Sequence, residues 1–265
     1  NEIDLIASHG QTIYHIAKSN LQQSGATLQI GDADMIAEAT GIVTIADFRQ
    51  KHIAGGGAGA PLAVYGDYLL FQSEESDNVL LNIGGISNFT YIPKGGDFSK
   101  VICSDVGPGN ALMDAWVQHA LPGHRFDIDG QRALDGKVID TLLNKLMEDA
   151  FFLHQIPKTT GKEYFNLDFI LRAINDTNTS QHSLEDILAT LCECTVQSIT
   201  QAIDSIRIPK ENLNIFISGG GIHHPLLMQR LKEHFGDKTI STTENKGINP
   251  DAKEAILFAV LANEC

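Results

Sequence analysis

Asp47 stands directly behind the β-branched apolar run Ile42 to Ala46 and two residues ahead of Arg49. The run reads as a buried strand. The acid then sits at the strand's C-terminal end, placed to reach into a cleft and take a proton from a water or a hydroxyl. The same pattern also fits a strand-end Asp capping a turn. His9, just past the strand-like stretch Ile3 to Ala7, could bind sugar hydroxyls together with Gln11, or could be a buried, internally satisfied histidine. Glu254 lies among Ala252, Ala255 and Ile256, either on an exposed helix face or as a cleft carboxylate. His223 and His224 are adjacent, so their side chains diverge. No third ligand is spaced near them, which argues against a metal site.

Three glycine-rich loops carry a second kind of chemistry. Leu80 to Asn88 reads as a strand that ends in Gly84-Gly85, with Asn82, Ser87 and Asn88 as further donors. Ser218-Gly219-Gly220-Gly221 repeats the pattern ahead of a helix. Asp105-Val106-Gly107-Pro108-Gly109-Asn110 is the third case, with the positive end of a helix beyond it. Glycine admits positive φ and carries no Cβ, so successive backbone N–H groups can face an anion. Any one such loop is equally well a tight turn. Three of them after buried strands favour phosphate or nucleotide. None matches Walker A or G-x-G-x-x-G.

The elements that must position these loops alternate. Thr27 to Ile30 reads as a strand and Asp32 to Thr40 as a helix closed by Gly41, while Ser8 to Thr12 reads as a loop. A helix runs from Pro61 to Phe71. Val79 to Ile83, Phe89 to Ile92 and Lys100 to Cys103 read as strands, the last two antiparallel neighbours of the first. Helices follow at Asn110 to Ala120, Val138 to Asp149 and Phe169 to Ile174, with Leu121 to Gly136 expected as an exposed loop. Ser183 to Ile206 is the clearest amphipathic helix, with Ser183 as its N-cap. Leu213 to Ile217 is a strand and Pro225 to Phe235 a helix. The last helix is expected to open at Asn249-Pro250-Asp251. A strand, glycine loop and helix thus recur three times, which predicts an α/β fold with ligands at strand C-termini.

Composition sets the boundary conditions. In 265 residues, 19 basic and 33 acidic side chains give a net charge of −14. That field repels nucleic acid, anionic membrane and ATP alike. A phosphate site must therefore rely on local N–H groups, a helix end or a metal ion. The four cysteines form no C-x-x-C pair and read as core filler in a reducing compartment. No apolar run is long enough to span a bilayer, and the first residues form no signal peptide. The abrupt strand-like start and the helical pattern still running at Cys265 suggest a piece of a longer chain.

Together the segments resemble the anhydro-N-acetylmuramic acid kinases. The resemblance is carried, in order, by Ser8-His9-Gly10-Gln11-Thr12, Leu28-Gln29-Ile30-Gly31-Asp32, Ala46-Asp47-Phe48-Arg49 with Gly59-Ala60-Pro61-Leu62, Asn82 to Asn88, Gly107 to Asn110, Thr160-Gly161-Lys162-Glu163-Tyr164-Phe165-Asn166, Ser218 to Gly221, and Asp251 to Ala255. It implies a two-domain ribonuclease-H-like fold of the actin, hexokinase and Hsp70 type, with the first domain incomplete. The expected division is 1–63, 64–250, and a helix over 251–265 at the interdomain cleft. It implies a cytoplasmic enzyme of peptidoglycan recycling that uses ATP and Mg²⁺. Water opens the 1,6-anhydro ring and the γ-phosphate goes to O6. Asp47 resembles the base, with His9, Arg49 and Glu254 as sugar contacts. Asn82, Gly84, Gly85, Asn88, Gly107, Gly109, Asn110 and Gly219 to Gly221 resemble the nucleotide contacts. No residue is designated as a metal ligand. The family's N-terminal phosphate loop has no counterpart here, so this piece alone is expected to have little or no kinase activity. The family resemblance also suggests a homodimer. The rival readings are another sugar kinase of the same superfamily and a non-catalytic nucleotide- or sugar-binding module.

Overall fold

The computed structural model describes residues 3–16, 25–249 and 252–264. Its strands are β1 (Leu5–Ala7), β2 (Gln11–Ile16), β3 (Ala26–Ile30), β4 (Val43–Ile45), β5 (Asp77–Ile83), β6 (Ser87–Ile92), β7 (Ile102–Gly107), β8 (Leu213–Ser218) and β9 (Ile240–Thr242). Its α-helices are α1 (Ala33–Thr40), α2 (Phe48–Ala54), α3 (Ala63–Phe71), α4 (Ala111–Ala120), α5 (Gln131–Asp135), α6 (Asp140–Met147), α7 (Ala150–Leu153), α8 (Leu167–Thr177), α9 (Leu184–Ser205), α10 (Pro225–Phe235) and α11 (Lys253–Asn263). The chain divides into two compact units, Asn1–Leu70 with Ala252–Cys265, and Phe71–Asp251.

In the first unit β1 and β4 pair in parallel, Leu5 beside Val43 and Ala7 beside Ile45. β2 and β3 form an antiparallel hairpin with an irregularity between Thr12 and Tyr14. The expected loop at residues 8–12 therefore gives way to a strand from Gln11. Its polar residues face solvent or neighbouring side chains, so they lack the buried alternation that marks a strand in sequence. β1 and β4 are half-buried rather than buried, and Val43 is 67% exposed. α1 forms as its caps dictate. The Asp32 carboxylate accepts from the N–H of Asp34 (2.9 Å) and Met35 (3.0 Å), and Gly41 closes the helix at φ 68°.

Phe48, Leu257, Phe258 and Ala262 make the small core of this unit, with Leu5, Ala7, Ile45 and Leu62 packed against it. α11 begins at Lys253, and Ala252 precedes it without a side-chain cap. Asn249 stands too far upstream to cap it; Pro250 and Asp251 lie outside the described residues. Lys253 is a poor opening residue, because the helix dipole places positive charge there. Its Nζ instead meets Asp67 Oδ1 of α3 at 2.8 Å, with the two side chains only 16% and 5% exposed.

The second unit is built on a five-stranded sheet of order β7-β6-β5-β8-β9. β6 runs antiparallel to β5 and β7, while β5, β8 and β9 are parallel. This order and mixed direction accord with the ribonuclease-H-like expectation. Val79, Leu80, Leu81 and Ile83 of β5 are essentially inaccessible, as are Ile215 and Ile217 of β8. Central strands buried on both faces read as continuous apolar runs, and these do. α9 contributes Leu188, Leu191, Cys192 and Ile199 to the core, and Ser183 Oγ caps it by accepting from Asp186 N at 3.1 Å. Cys192 and Cys194 are both fully buried in this core; burial pushes the Cys194 thiol up to about 12 and raises that of Cys192 as well.

Two expectations need correcting here. Residues 121–136 are not simply an exposed loop, since they contain a 3₁₀ turn at Ile128–Gly130 and the helix α5, with Gly130 and Ala133 buried. The Asp127 carboxylate organises this turn by accepting from Arg132 N (3.2 Å) and Ala133 N (3.0 Å). Nor does strand, glycine loop and helix recur three times. Gly84-Gly85 joins two antiparallel strands, and only Gly107–Asn110 and Gly219–Gly221 lead from a strand towards a helix.

Because the Lys253–Asp67 pair is nearly dry, removing one partner strands a buried charge. Asp67→Ala should lower the stability of the chain by about 3 kcal/mol in chemical denaturation. Pairing it with Lys253→Met should recover a large part of that loss.

Candidate active site

Asp47 follows β4 in the left-handed conformation (φ 59°, ψ 30°) and stands at the N-cap position of α2. A non-glycine residue held there is uncommon, and such outliers gather at functional sites. Its side chain makes no capping hydrogen bond, so the turn-capping reading does not account for it. The carboxylate is exposed.

Arg49 sits one residue into α2 beyond Phe48. Its Nε donates to His9 Nε2 at 2.8 Å and its Nη1 to the Gly59 carbonyl at 2.9 Å. His9 accepts at Nε2, so its ring hydrogen is on Nδ1, which donates to Gly10 O at 3.0 Å. Both ring nitrogens are thus engaged within the chain. The ring also packs on Phe258 with centroids 4.5 Å apart. Burial lowers the Arg49 guanidinium below its usual value, and the nearby charge of Glu254 opposes that shift. Glu254 itself is exposed on the first turn of α11. The structure therefore brings His9, Arg49 and the Gly59 carbonyl into contact, with Glu254 in electrostatic range of Arg49 and Asp47 on the same turn. His15 belongs to this group too. Burial and the Arg49 charge lower its pKa, and its Nδ1 is buried without a partner. Sequence offered no signal for it, because it lies in the hairpin that the pattern hides.

In the second unit the three glycine loops meet at the C-terminal ends of β5 and β8, which pair in parallel with Asn82 beside Ser218. The N–H of Asn110 donates to Gly84 O (2.9 Å) and that of Ala111 to Gly85 O (3.0 Å), so the first turn of α4 is docked on the β5–β6 turn. Asn88 faces Asn82 across the antiparallel pair and shares its side of the sheet. Behind the loops, Thr195 Oγ1 of α9 donates to Gly109 O at 2.8 Å.

The glycines of these loops divide into two groups. Gly109 (φ 51°) and Gly219 (φ 85°) need positive φ, and a Cβ on either would strike backbone or Asn82. A Cβ on Gly107 would strike Ser198, and one on Gly221 would strike Ile83. Packing and conformation explain those four. Gly84 and Gly220 have ordinary φ, and a Cβ there would meet no protein atom closer than 3.6 Å. Nothing in the chain demands glycine at these two positions. A bare backbone facing open space fits the approach of an external phosphate or nucleotide.

Gly85 differs from both groups, because a Cβ there would collide only with the end of the Lys162 side chain, 2.8 Å from Nζ. Lys162 is brought to this place by the edge of β7. The Asp105 carboxylate accepts from Thr159 Oγ1 (3.0 Å) and Thr160 N (2.9 Å), and Ser104 Oγ accepts from Lys158 N (2.9 Å). Asp114, in the first turn of α4, is partly buried. Burial pushes its carboxyl up to about 6, against the opposing pull of the Lys162 charge.

Comparison with known proteins now bears on this geometry. The family model for anhydro-N-acetylmuramic acid kinase matches residues 1–265. The chain belongs to that family. A protein of that name from Pseudoalteromonas atlantica is 53% identical, over 100% of this chain and 67% of its own length. One from Caldanaerobacter subterraneus subsp. tengcongensis is 41% identical, over 99% of this chain and 68% of its own. The chain therefore spans about two thirds of the length of these relatives. Among solved structures, the activator of the 2-hydroxyisocaproyl-CoA dehydratase from Clostridium difficile aligns over 90% of this chain and 84% of its own at 14% identity and a TM-score of 0.45, a likeness too slight to bear on function.

Family motifs pick out Asp47, Arg49 and the glycine loops, but the electrostatic effect of Lys162 on Asp114 is not visible in them, since the two lie far apart in sequence with no periodic pattern between them. No group of three or more His, Cys, Asp or Glu side chains among the described residues is arranged to hold a metal ion. No helix among them is long and apolar enough to cross a membrane.

Asp114 gives a pH test. Its folded pKa of about 6 exceeds the ordinary 3.8, so folding favours the protonated form. As pH rises from about 3 to 6 the unfolded chain ionises first and stability is lost; above 6 the full cost persists. Asp114→Asn removes that cost. It should stabilise the chain by about 1–2 kcal/mol at pH 7.5, after allowance for partial exposure, and by almost nothing at about pH 2.5, as measured by denaturation at the two pH values.

Proposed function

We propose that the protein phosphorylates 1,6-anhydro-N-acetylmuramic acid at the expense of ATP, adding water across the anhydro bond to yield N-acetylmuramic acid 6-phosphate in cell-wall recycling. The observation that carries this reading is the family match over residues 1–265, joined to the meeting of three glycine loops in the second unit. Those loops suit ATP. Their N–H groups and the end of α4 offer neutral dipoles, which a chain of net charge −14 needs if it is to accept a polyphosphate. Asn82, Asn88 and Asn110 add side-chain donors, and Gly84 and Gly220 leave the backbone open.

For the sugar end, Asp47 is the base. Its exposed carboxylate takes a proton from water as the water oxygen bonds to the anomeric carbon. The bond from that carbon to the bridging oxygen breaks, and the released O6 bonds to the γ-phosphorus as its bond to the β,γ-bridging oxygen breaks and ADP leaves. Each event assists the other, since the leaving oxygen is capped as it departs. Arg49, held by His9 and Gly59 O, keeps Nη2 free of any partner among the described residues, so it can donate to the sugar. Glu254 supplies an acceptor for a sugar hydroxyl. Mg²⁺ accompanies ATP in this reading. The described residues offer no ready-made carboxylate cage for it, so no step is assigned to the metal.

Product mass tests the reaction. In a protein extended to the length of its relatives, the product should exceed the starting sugar by one phosphate plus one water; phosphate alone would mean a simple kinase. Asp47→Asn should keep sugar binding and lower kcat by about 10²–10⁴-fold. Near-normal turnover would remove Asp47 from the role. The glycine division is tested separately by titrating ATP. Gly220→Ala should weaken ATP about tenfold with an unchanged melting temperature, whereas Gly109→Ala should lower the melting temperature itself.

A further inference from the structure

We infer that Lys162 is a phosphate-binding residue of the nucleotide site, the cation that the glycine loops by themselves lack. The inference rests on the ATP-kinase reading and deepens it.

Three observations converge on this side chain. First, its Nζ lies against the Gly84-Gly85 turn, close enough that a Cβ on Gly85 would be 2.8 Å away and would overlap Cε. Gly85 has ordinary φ, and the three atoms nearest to a Cβ there all belong to Lys162. The bare face of this glycine is therefore covered by the end of the lysine and by no fixed part of the fold. Second, the lysine is delivered and left unpaired. Asp105 and Ser104 fasten residues 158–160 to β7, yet no carboxylate among the described residues comes within ion-pair distance of Lys162 Nζ. By contrast, Lys253, Lys145 and Lys100 each have an acid within 4 Å. Third, the place it occupies is anion-ready. The Gly84 and Gly85 carbonyls are consumed by Asn110 N and Ala111 N, so the acceptors of the turn face α4.

A mobile ammonium on a four-carbon stem can swing from its resting contact to a phosphate oxygen, a role lysine fills as a point charge rather than as a fork. Asp114 feels the Lys162 charge, which gives the ammonium a resting partner at longer range before an anion arrives. In a chain with 33 acidic and 19 basic residues, one cation at the glycine turn changes the local field more than the backbone dipoles can alone.

The test is equilibrium binding, which needs no turnover. ATP and adenosine are titrated into the 265-residue chain and into Lys162→Met and Lys162→Arg, with thermal unfolding of each followed in parallel. Lys162→Met should weaken ATP by about 10- to 100-fold, leave adenosine binding and the melting temperature unchanged, and be largely rescued by arginine. Equal ATP affinity in wild type and Lys162→Met would overturn the inference while the kinase reading stands. A matching loss of adenosine affinity, or a fall in melting temperature, would make Lys162 structural and overturn it too. Failure of the wild-type chain to bind ATP would remove the nucleotide reading and this inference with it.

Discussion

Two backbone hydrogen bonds organise the second unit: Asn110 N to Gly84 O and Ala111 N to Gly85 O. They dock the start of α4 onto the turn between β5 and β6. A helix N-terminus has N–H groups with no partner inside the helix, and they must find acceptors elsewhere. Here two of them find the carbonyls of a glycine turn. Such close approach is feasible only because residue 109 has no Cβ, which would otherwise overlap the Gly84 carbonyl. Thr195 then holds Gly109 O from the α9 side. The result is a rigid corner in which strand ends, a helix start and a core helix fix one another.

That corner bears on how a chain of strong negative charge could accept a phosphate in the proposed reading. The protein's field opposes an incoming anion, and aligned N–H dipoles offset part of that opposition locally. The local cost is conformational. Four glycines in these loops are spent on geometry, while Gly84 and Gly220 have no geometric duty. The distinction matters because counting glycines treats them alike, and only the neighbours of each absent Cβ separate scaffold from binding surface.

Much of this was legible in the sequence, for identifiable reasons. β5 and β8 are buried on both faces, so they are continuous apolar runs. α9 and α10 announce themselves through Ser183, through Pro225 and through helical spacing. The β2–β3 hairpin was hidden because its exposed and half-exposed residues lack a buried stripe. α5 was hidden because five residues are too few for periodicity, although Asp127 ahead of it is a capping acid. The chemistry divides in the same way. Asp47 could be singled out at a strand end, yet its left-handed backbone and missing cap bond are properties of the fold. Lys162 comes within electrostatic range of Asp114 through a chain path that Asp105 fastens by drawing residues 159–160 to the edge of β7, a long-range arrangement that no local pattern encodes.

Asp47 and Arg49 show how the first unit solves a different problem with the same economy. In the proposed reading Asp47 is a base that must stay uncommitted, yet a neighbouring cation two residues away would ordinarily claim it as an ion-pair partner. Arg49 is prevented from doing so by prior engagement, with Nε held by His9 and Nη1 by the Gly59 carbonyl. His9 is in turn fixed by Gly10 O and by the Phe258 ring, so the guanidinium cannot easily rotate toward the acid. The left-handed turn at residue 47 leaves the carboxylate without a capping bond of its own. The strain of that turn, of order 1–3 kcal/mol for a residue of this kind, is the counterpart of an acid kept exposed and unpaired beside a cation that is already occupied.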